Sequence, residues 1–297
     1  MRCNVDGSPE RSIDRANQFV EAGVVFVQEG IDVSSDAMLP ILASADIPLV
    51  GHTPYGPQQQ TDPEANAFFL GSARGAAGLG PLAHFADGGA ESVTFFQGDI
   101  PTAHALIDNV AMPAADQLSV ELRTVFYDVA APDWNVLAAT AMADDPDVVG
   151  APGATEQDCI GFVGALASAG YDGQVFAAGC SAFATELGAQ AEGVVTYSDT
   201  WRASDPDAPP TAAKRDEIAA YVEAMEASGN EDLLHGYARS YFADTVNLAR
   251  ILATVDSPID GPAVAEALRS TVDFDSFMGP TISCAGSAWE GENSAWP

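Results

Sequence analysis

Hydrophobic positions in this chain fall into short, almost uninterrupted runs, separated by longer segments whose apolar residues recur with helical spacing. Pro9 to Ala22 reads as a helix leading to the strand VVFV at 24–27. A second helix over 35–45 precedes IPLVG at 47–51, and a Pro/Gln-rich loop then leads to FFLG at 68–71. The alternation continues with helix 73–86, strand 92–96, helix 102–116, strand 120–127, helix 134–143, strand 147–150, helix 156–169, strand 174–178, a short helix 181–189 and strand 193–197. Strands that are apolar throughout predict parallel sheets covered on both faces, so the expected class is α/β. After Thr200 the rhythm changes to three helices, 211–228, 233–254 and 261–270, introduced by ASDPDAPP, and then to an extended piece from Gly279 to Cys284. One sheet would need about eight strands and a helical cap, so two smaller sheets are the simpler solution. The loops at 53–66 and 198–210 are the expected passages between two lobes.

Composition narrows the range of partners. The 297 residues carry 43 acidic and 11 basic side chains, a formal net charge of −32, yet hydrophobic residues make up 47% and charged residues only 18%. A chain of that kind folds and spreads its acidity over the surface. Such a surface repels phosphate backbones and anionic lipid, which excludes nucleic acid as a partner and favours a monomer. Lys214 is the sole lysine, a bias that a halophilic or high-GC origin would also produce. No apolar run reaches the roughly 18 residues of a membrane helix, and MRCNVDGSPERS lacks the apolar middle of a signal peptide. Neither the four cysteines nor the four histidines show a metal-binding spacing, so no metal is expected. GSARGAAG at 71–78 is not GxGxxG and no acid ends a strand about 20 residues later, which argues against a dinucleotide. No cofactor is expected. GxSxG is absent, His104 has no evident nucleophile, and Asp144, Asp145 and Asp147 read as a solvated turn, so nothing points to an enzyme.

Three phrases carry a family resemblance. SPERSIDRANQFVEAGVVFVQEGIDVSSDAMLPILASADIPLVG, DPDVVGAPGATEQDCIGFVGALASAGYDGQVFAAG and EGVVTYSDTW resemble, in order and local phrasing, the type 1 periplasmic binding proteins, specifically the branched-chain amino-acid (Leu/Ile/Val)-binding receptors of ABC transporters. The resemblance implies two doubly wound parallel-sheet lobes joined by a three-strand hinge, with 1–71 and 200–272 in the first lobe and 72–199 and 273–297 in the second. Family members begin with a further strand and helix before the first phrase, and in the 2-1-3-4-5 order that strand lies in the middle of the sheet. The reading is therefore of a truncated frame whose full form carries a signal peptide or lipoprotein anchor and works outside the cytoplasm. The implied function is capture of a small amino acid, amide or carboxylate in an interlobe cleft, with ABC permease subunits as partners. A Rossmann-like NAD-dependent enzyme and the sensing domain of a regulator are the rival readings.

Ligands of open α/β sheets bind beyond the carboxyl ends of the strands, which selects the turns that follow them. Ser34 and Ser35 stand in the turn after the first strand, where the resemblance implies a ligand-binding serine and where helix capping is the alternative. Thr53 and Tyr55 follow the second strand, beside His52. In the second lobe the same rule selects Gln97, Asp99 and Thr102, then Thr155 and Glu156, then Ser181. An α-amino acid needs a carboxylate for its ammonium, and the resemblance implies an acid in the turn that here reads Gly179, Cys180, Ser181. Asp99 or Glu156 would have to supply that charge. Cys159 opens the helix after one strand and Cys180 follows the next parallel strand, so both lie at one sheet edge. A disulfide between them would close a loop of about 22 residues; for Cys3 and Cys284 no pairing is assigned.

Overall fold

The computed structural model describes residues 1–284 apart from 57, 60, 61, 63, 64, 72, 73, 204–207, 235, 256 and 257. The chain divides into two compact units. Unit 1 comprises Met1–Arg74, Asp199–Glu231 and Ala238–Pro297; unit 2 comprises Gly75–Ser198 and Asp232–Tyr237.

Unit 1 opens with helix α1 (Pro9–Glu21), capped by Ser8, whose side chain accepts from the Arg11 N–H, with Pro9 in the first turn where its missing donor costs nothing. The helix unwinds through Gly23, whose φ of +63° suits a residue without Cβ, and the Val24 N–H still bonds back to Phe19 O. That exit uses up the start of the expected strand, so β1 is only Val27–Gln28. Helix α2 (Leu39–Ser44) follows a 3-10 turn at Ser35–Met38 and leads to β2 (Leu49–Gly51), with β3 at Ala67–Phe69. The three strands are parallel in the order β1-β2-β3, with Val27 opposite Leu49 and Leu49 opposite Ala67. β1 and β2 are thus directly hydrogen-bonded.

Unit 2 begins with α3 (Arg74–Asp87) and continues with β4 (Ser92–Gly98), α4 (Pro101–Leu106), α5 (Met112–Leu118), β5 (Glu121–Tyr127), α6 (Trp134–Ala141), β6 (Val148–Ala151), α7 (Glu156–Ala169), β7 (Gln174–Ala178), α8 (Ala182–Leu187) and β8 (Val195–Tyr197). The helix expected over 102–116 is interrupted by a π turn at Ile107–Ala111. Pro113 cannot donate to the turn before it, and the wider turn relieves the clash of its ring with that turn's carbonyl. The sheet is all parallel in the order β5-β4-β6-β7-β8, so the direction of winding reverses between β4 and β6. Alternation along β4 covers both faces. Val93 and Phe95 pack with Leu82, Phe85, Ile107 and Ala111, while Phe96 packs with Ala138, Phe162 and Leu166.

The chain returns to unit 1 for α9 (Ala212–Ala227), α10 (Tyr237–Leu252), α11 (Gly261–Arg269) and a hairpin of β9 (Phe274–Asp275) with β10 (Thr281–Ile282). The expectation that 273–297 joins the second lobe is corrected here for 273–284, while 285–297 lie outside the described residues. Ile282 and Cys284 are buried with Val50, Leu248 and Leu268, and Lys214 on α9 pairs with Asp275, so β9 and β10 complete the core of unit 1. Its sheet is therefore covered on one face by Leu39 and Leu42 of α2 with Ala16 of α1, and on the other by α10 and α11. The architecture is α/β with two parallel, helix-covered sheets. None of the described helices is long and apolar enough to cross a membrane.

Cys159 at the start of α7 and Cys180 just beyond β7 form a disulfide, with Cα atoms 6.5 Å apart, and both residues are buried. Cys3 and Cys284 are free thiols. Closing the 159–180 loop restricts the unfolded chain, so replacing both cysteines by alanine is expected to lower stability by about 3 kcal/mol. Urea denaturation of the two proteins, with and without reductant, measures this; reductant should weaken the wild type alone.

Candidate functional site

The carboxyl edge of the unit 1 sheet carries a buried polar cluster. His52, the first residue beyond β2, is 4% exposed, and its Nε2 lies 2.5 Å from Asp199 Oδ2. Its Nδ1 lies 3.0 Å from Asp244 Oδ2 on α10. Asp244 belongs to the buried stripe of that helix, with Ser240, Ala243, Asn247 and Leu248, while Asp199 is the first residue of the segment that re-enters unit 1. Gly71 makes the ring's position possible, because a Cβ there would fall 2.4 Å from His52 Cε1. Burial alone would lower the imidazole pKa, but Asp199 and Asp244 outweigh it and hold His52 well above its usual value. Burial likewise would raise Asp199, but the His52 charge brings it below the ordinary carboxylate range, whereas burial keeps Asp244 raised. The group is an imidazolium held chiefly by Asp199 with Asp244 behind it.

Glu29, the first residue beyond β1, lies beside this group and is also buried. Gln59 donates from Nε2 to Ser35 Oγ at 2.6 Å and faces Glu29 Oε1 at 3.5 Å, while its Oε1 accepts from the Tyr55 and Gly56 N–H groups. Burial pushes the Glu29 carboxyl up to about 8, with Asp32 and Asp36 adding to the rise and Ser35 and Gln59 opposing it. Burial also raises the Tyr241 hydroxyl, with the Tyr55 side chain adding to the rise, and its ring packs edge-on to His52 with ring centroids 5.8 Å apart.

Of the residues selected from sequence in this unit, Ser35 is fully buried and donates from Oγ to Asp32 O at 2.8 Å, and Ser34 donates to Gly7 O at 2.6 Å. Neither hydroxyl caps a helix. Thr53 is half-buried next to His52, and Tyr55 joins the cluster as described. Glu29, Gln59, Asp199, Tyr241 and Asp244 were not selected. Two of them had a signal: Glu29 stands two residues after the apolar run VVFV, and Asp244 is an acid on the apolar stripe of a predicted helix.

In unit 2 the selected residues also sit at the carboxyl edge. Asp99, exposed beyond β4, pairs through Oδ1 with His104 Nε2 at 2.8 Å, and that ring stacks on Phe126. The Thr102 side chain lies outside the described residues. Thr155 caps α7 in a reciprocal arrangement with Asp158. Glu156 accepts the Ser181 N–H at 3.0 Å and the Ala182 N–H at 2.9 Å, so its carboxylate is occupied by the first turn of α8 and brings Ser181 and Glu156 together. Gln97, buried near the end of β4, has an amide nitrogen with no hydrogen-bond partner. Part of the glycine-rich 71–78 segment, Ser72 and Ala73, lies outside the described residues. Among those that are described, no group of three or more His, Cys, Asp or Glu is placed to hold a metal ion.

Over residues 3–289 the chain matches the periplasmic binding protein family. It is similar in structure to an ABC transporter substrate-binding protein of Aeropyrum pernix, with a TM-score of 0.78 at 17% identity, covering 96% of this chain and 76% of that one. It is also similar to the leucine-binding protein of Thermotoga maritima, with a TM-score of 0.70 at 16% identity and coverages of 97% and 79%. An extracellular ligand-binding receptor of Verminephrobacter eiseniae gives a TM-score of 0.74 at 16% identity, with coverages of 95% and 81%. No protein of curated function matches the sequence.

Removing one partner of a buried charge group leaves the others uncompensated, so His52→Ala is expected to destabilise the protein by about 3–5 kcal/mol. Because the folded imidazole pKa is raised, its contribution is fully present below about pH 6.5, the unfolded value, and is lost as pH rises through the folded pKa. Chemical denaturation across pH should show an alkaline loss of stability in the wild type that the variant lacks.

Proposed function

We propose a function from one premise: this chain belongs to the periplasmic binding protein family. That family is a non-enzymatic, extracytoplasmic solute-binding fold serving ABC importers, so the chain is read as a solute receptor with a small-molecule ligand and permease partners. The observation that carries the reading is the family match over residues 3–289, which spans both units.

The finer proposal is that the solute is a small amino acid, amide or carboxylate taken up between the two units by hinge closure, with the closed form presented to the permease. The solute stabilises the state in which both units touch it. Ser34, Ser35, Thr53 and Tyr55 are the proposed contacts from unit 1, and Asp99, Thr102, Thr155, Glu156 and Ser181 those from unit 2. The protein is proposed to act as a monomer, exported by a signal segment and held as a lipoprotein. Two sets of strand tips furnished with hydroxyls, carboxyls and amides support this reading, since that is where solutes of open α/β sheets dock.

A thermal-shift screen of amino acids, amides and small carboxylates tests the proposal, because a solute that binds only the native state raises Tm by mass action. One class is expected to raise Tm dose-dependently and to reduce the radius of gyration in solution scattering. Stabilisation by NAD, with no response to any of these solutes, would replace the receptor with the enzyme reading.

A further inference from the structure

An ammonium-bearing solute needs a carboxylate, and the two acids that sequence reasoning offered in unit 2 are both engaged, Asp99 by His104 and Glu156 by the first turn of α8. Unit 1 holds an acid in a different condition. The Glu29 side chain passes over Gly51, where a Cβ would lie 2.8 Å from Oε1. Oε1 faces Gln59, but Oε2 is buried without any hydrogen-bond partner. A carboxyl oxygen left unpaired in an interior is costly, and its persistence at a strand tip marks a position that a ligand completes.

The surrounding charges say which ligand. Asp32 and Asp36 face Glu29 from the turn after β1, and Asp244 and the Tyr241 hydroxyl lie beyond it on α10. The imidazolium of His52 is matched to Asp199 and Asp244, and Arg239 is taken by Thr200 and the Asp199 charge. The edge therefore has a surplus of negative charge, which opposes a solute carboxylate there and favours a cation that donates N–H.

We propose that Glu29 is the residue that reads the ammonium group of the solute, with Oε2 accepting one of its N–H bonds. This inference rests on the receptor reading above and narrows its solute to the amine-bearing class. It moves the charge-reading acid from the turn after β7, where the family resemblance implies one, to the tip of β1. In the unliganded protein burial pushes the Glu29 carboxyl up to about 8, which favours the neutral acid. On binding, the carboxyl proton leaves to buffer, the ammonium keeps its own protons, and an ion pair replaces a buried acid.

The test uses the full 297-residue chain and three matched probe sets: common amino acids, the des-amino carboxylate of each, and the decarboxylated amine of each. Binding is measured by thermal shift and titration calorimetry for the wild type, Glu29→Gln and Glu29→Asp. At least one ammonium-bearing probe is expected to bind with one proton released, its affinity rising about tenfold per pH unit from pH 6 to 7 and levelling near 8. Its des-amino partner should not bind. Glu29→Gln matches the shape of the neutral acid, so its unliganded Tm should stay close to wild type while affinity falls at least about tenfold and the pH slope disappears; Glu29→Asp should retain the slope with weaker binding. Des-amino carboxylates binding as well as amino acids, or Glu29→Gln keeping wild-type affinity and slope, would overturn the role of Glu29 and leave the receptor reading intact. A chain that binds no member of any set would overturn both.

Discussion

An imidazolium enclosed by two carboxylates is the interaction on which unit 1 depends. His52, Asp199 and Asp244 come from the tip of β2, from the segment that re-enters the unit after 124 residues of unit 2, and from a helix packed on the sheet. Hydrophobic burial alone is indifferent to how such distant pieces are registered. A charge that must be neutralised inside the protein is not indifferent, because any slip leaves an unpaired ion in a medium of low dielectric. Gly71 shows how tight the requirement is, since even a methyl group there would displace the ring. Around this fixed point the neighbouring backbone is tied down as well. Thr200 accepts from Arg239, and the Trp201 N–H bonds to Met278 O, so three consecutive residues from 199 are each anchored to a different part of unit 1.

Electrostatics act differently at the surface and at this edge. A net charge of −32 on a folded surface is dispersed, hydrated and screened, and it shapes solubility more than structure. The acids at the unit 1 edge are few but buried, and each has to be accounted for individually. The His52 charge brings Asp199 below the ordinary carboxylate range, whereas burial pushes Glu29 up to about 8. The unit 1 edge thus holds a charged acid, Asp199, and a raised acid, Glu29, whose Oε2 is buried without a hydrogen-bond partner.

Much of the fold was legible because parallel strands buried on both faces leave an unmistakable run of apolar residues. VTFF, VVGA and VFAA lie within strands of unit 2, and the reversal between β4 and β6 follows from the order in which those runs pair. Boundaries failed where local chemistry overrode the pattern: Gly23 delayed β1, and Pro113 forced a π turn into a segment that reads as one helix. The extended piece ending at Cys284 was given to the wrong unit because two short strands carry no record of their partner; Ile282 could have filled either core. Strand-tip reasoning found Ser35 and Tyr55 but passed over Glu29, which lies closer to its strand than either, because a lone Glu beside Gln and Gly reads as loop.

The serine pair after β1 illustrates the same limit from the other side. A serine pair before a helix suggests freely presented hydroxyls, but hydroxyls in a packed turn are donors that must find acceptors locally. Ser34 and Ser35 find them in Gly7 O and Asp32 O, and Ser35 then accepts from Gln59, whose other end gathers the N–H groups of the loop after His52. The residues with the most evident binding chemistry in this unit therefore build the support for the cluster. Glu29, whose Oε2 has no hydrogen-bond partner, is a group that this support encloses. A solute that completes Glu29 would meet an acid positioned by Gln59 and Ser35, with little side-chain freedom left to lose on binding. Preorganisation of this kind depends on the same buried network that fixes His52, so the stability of unit 1 and its capacity to read a charged solute have a common physical origin.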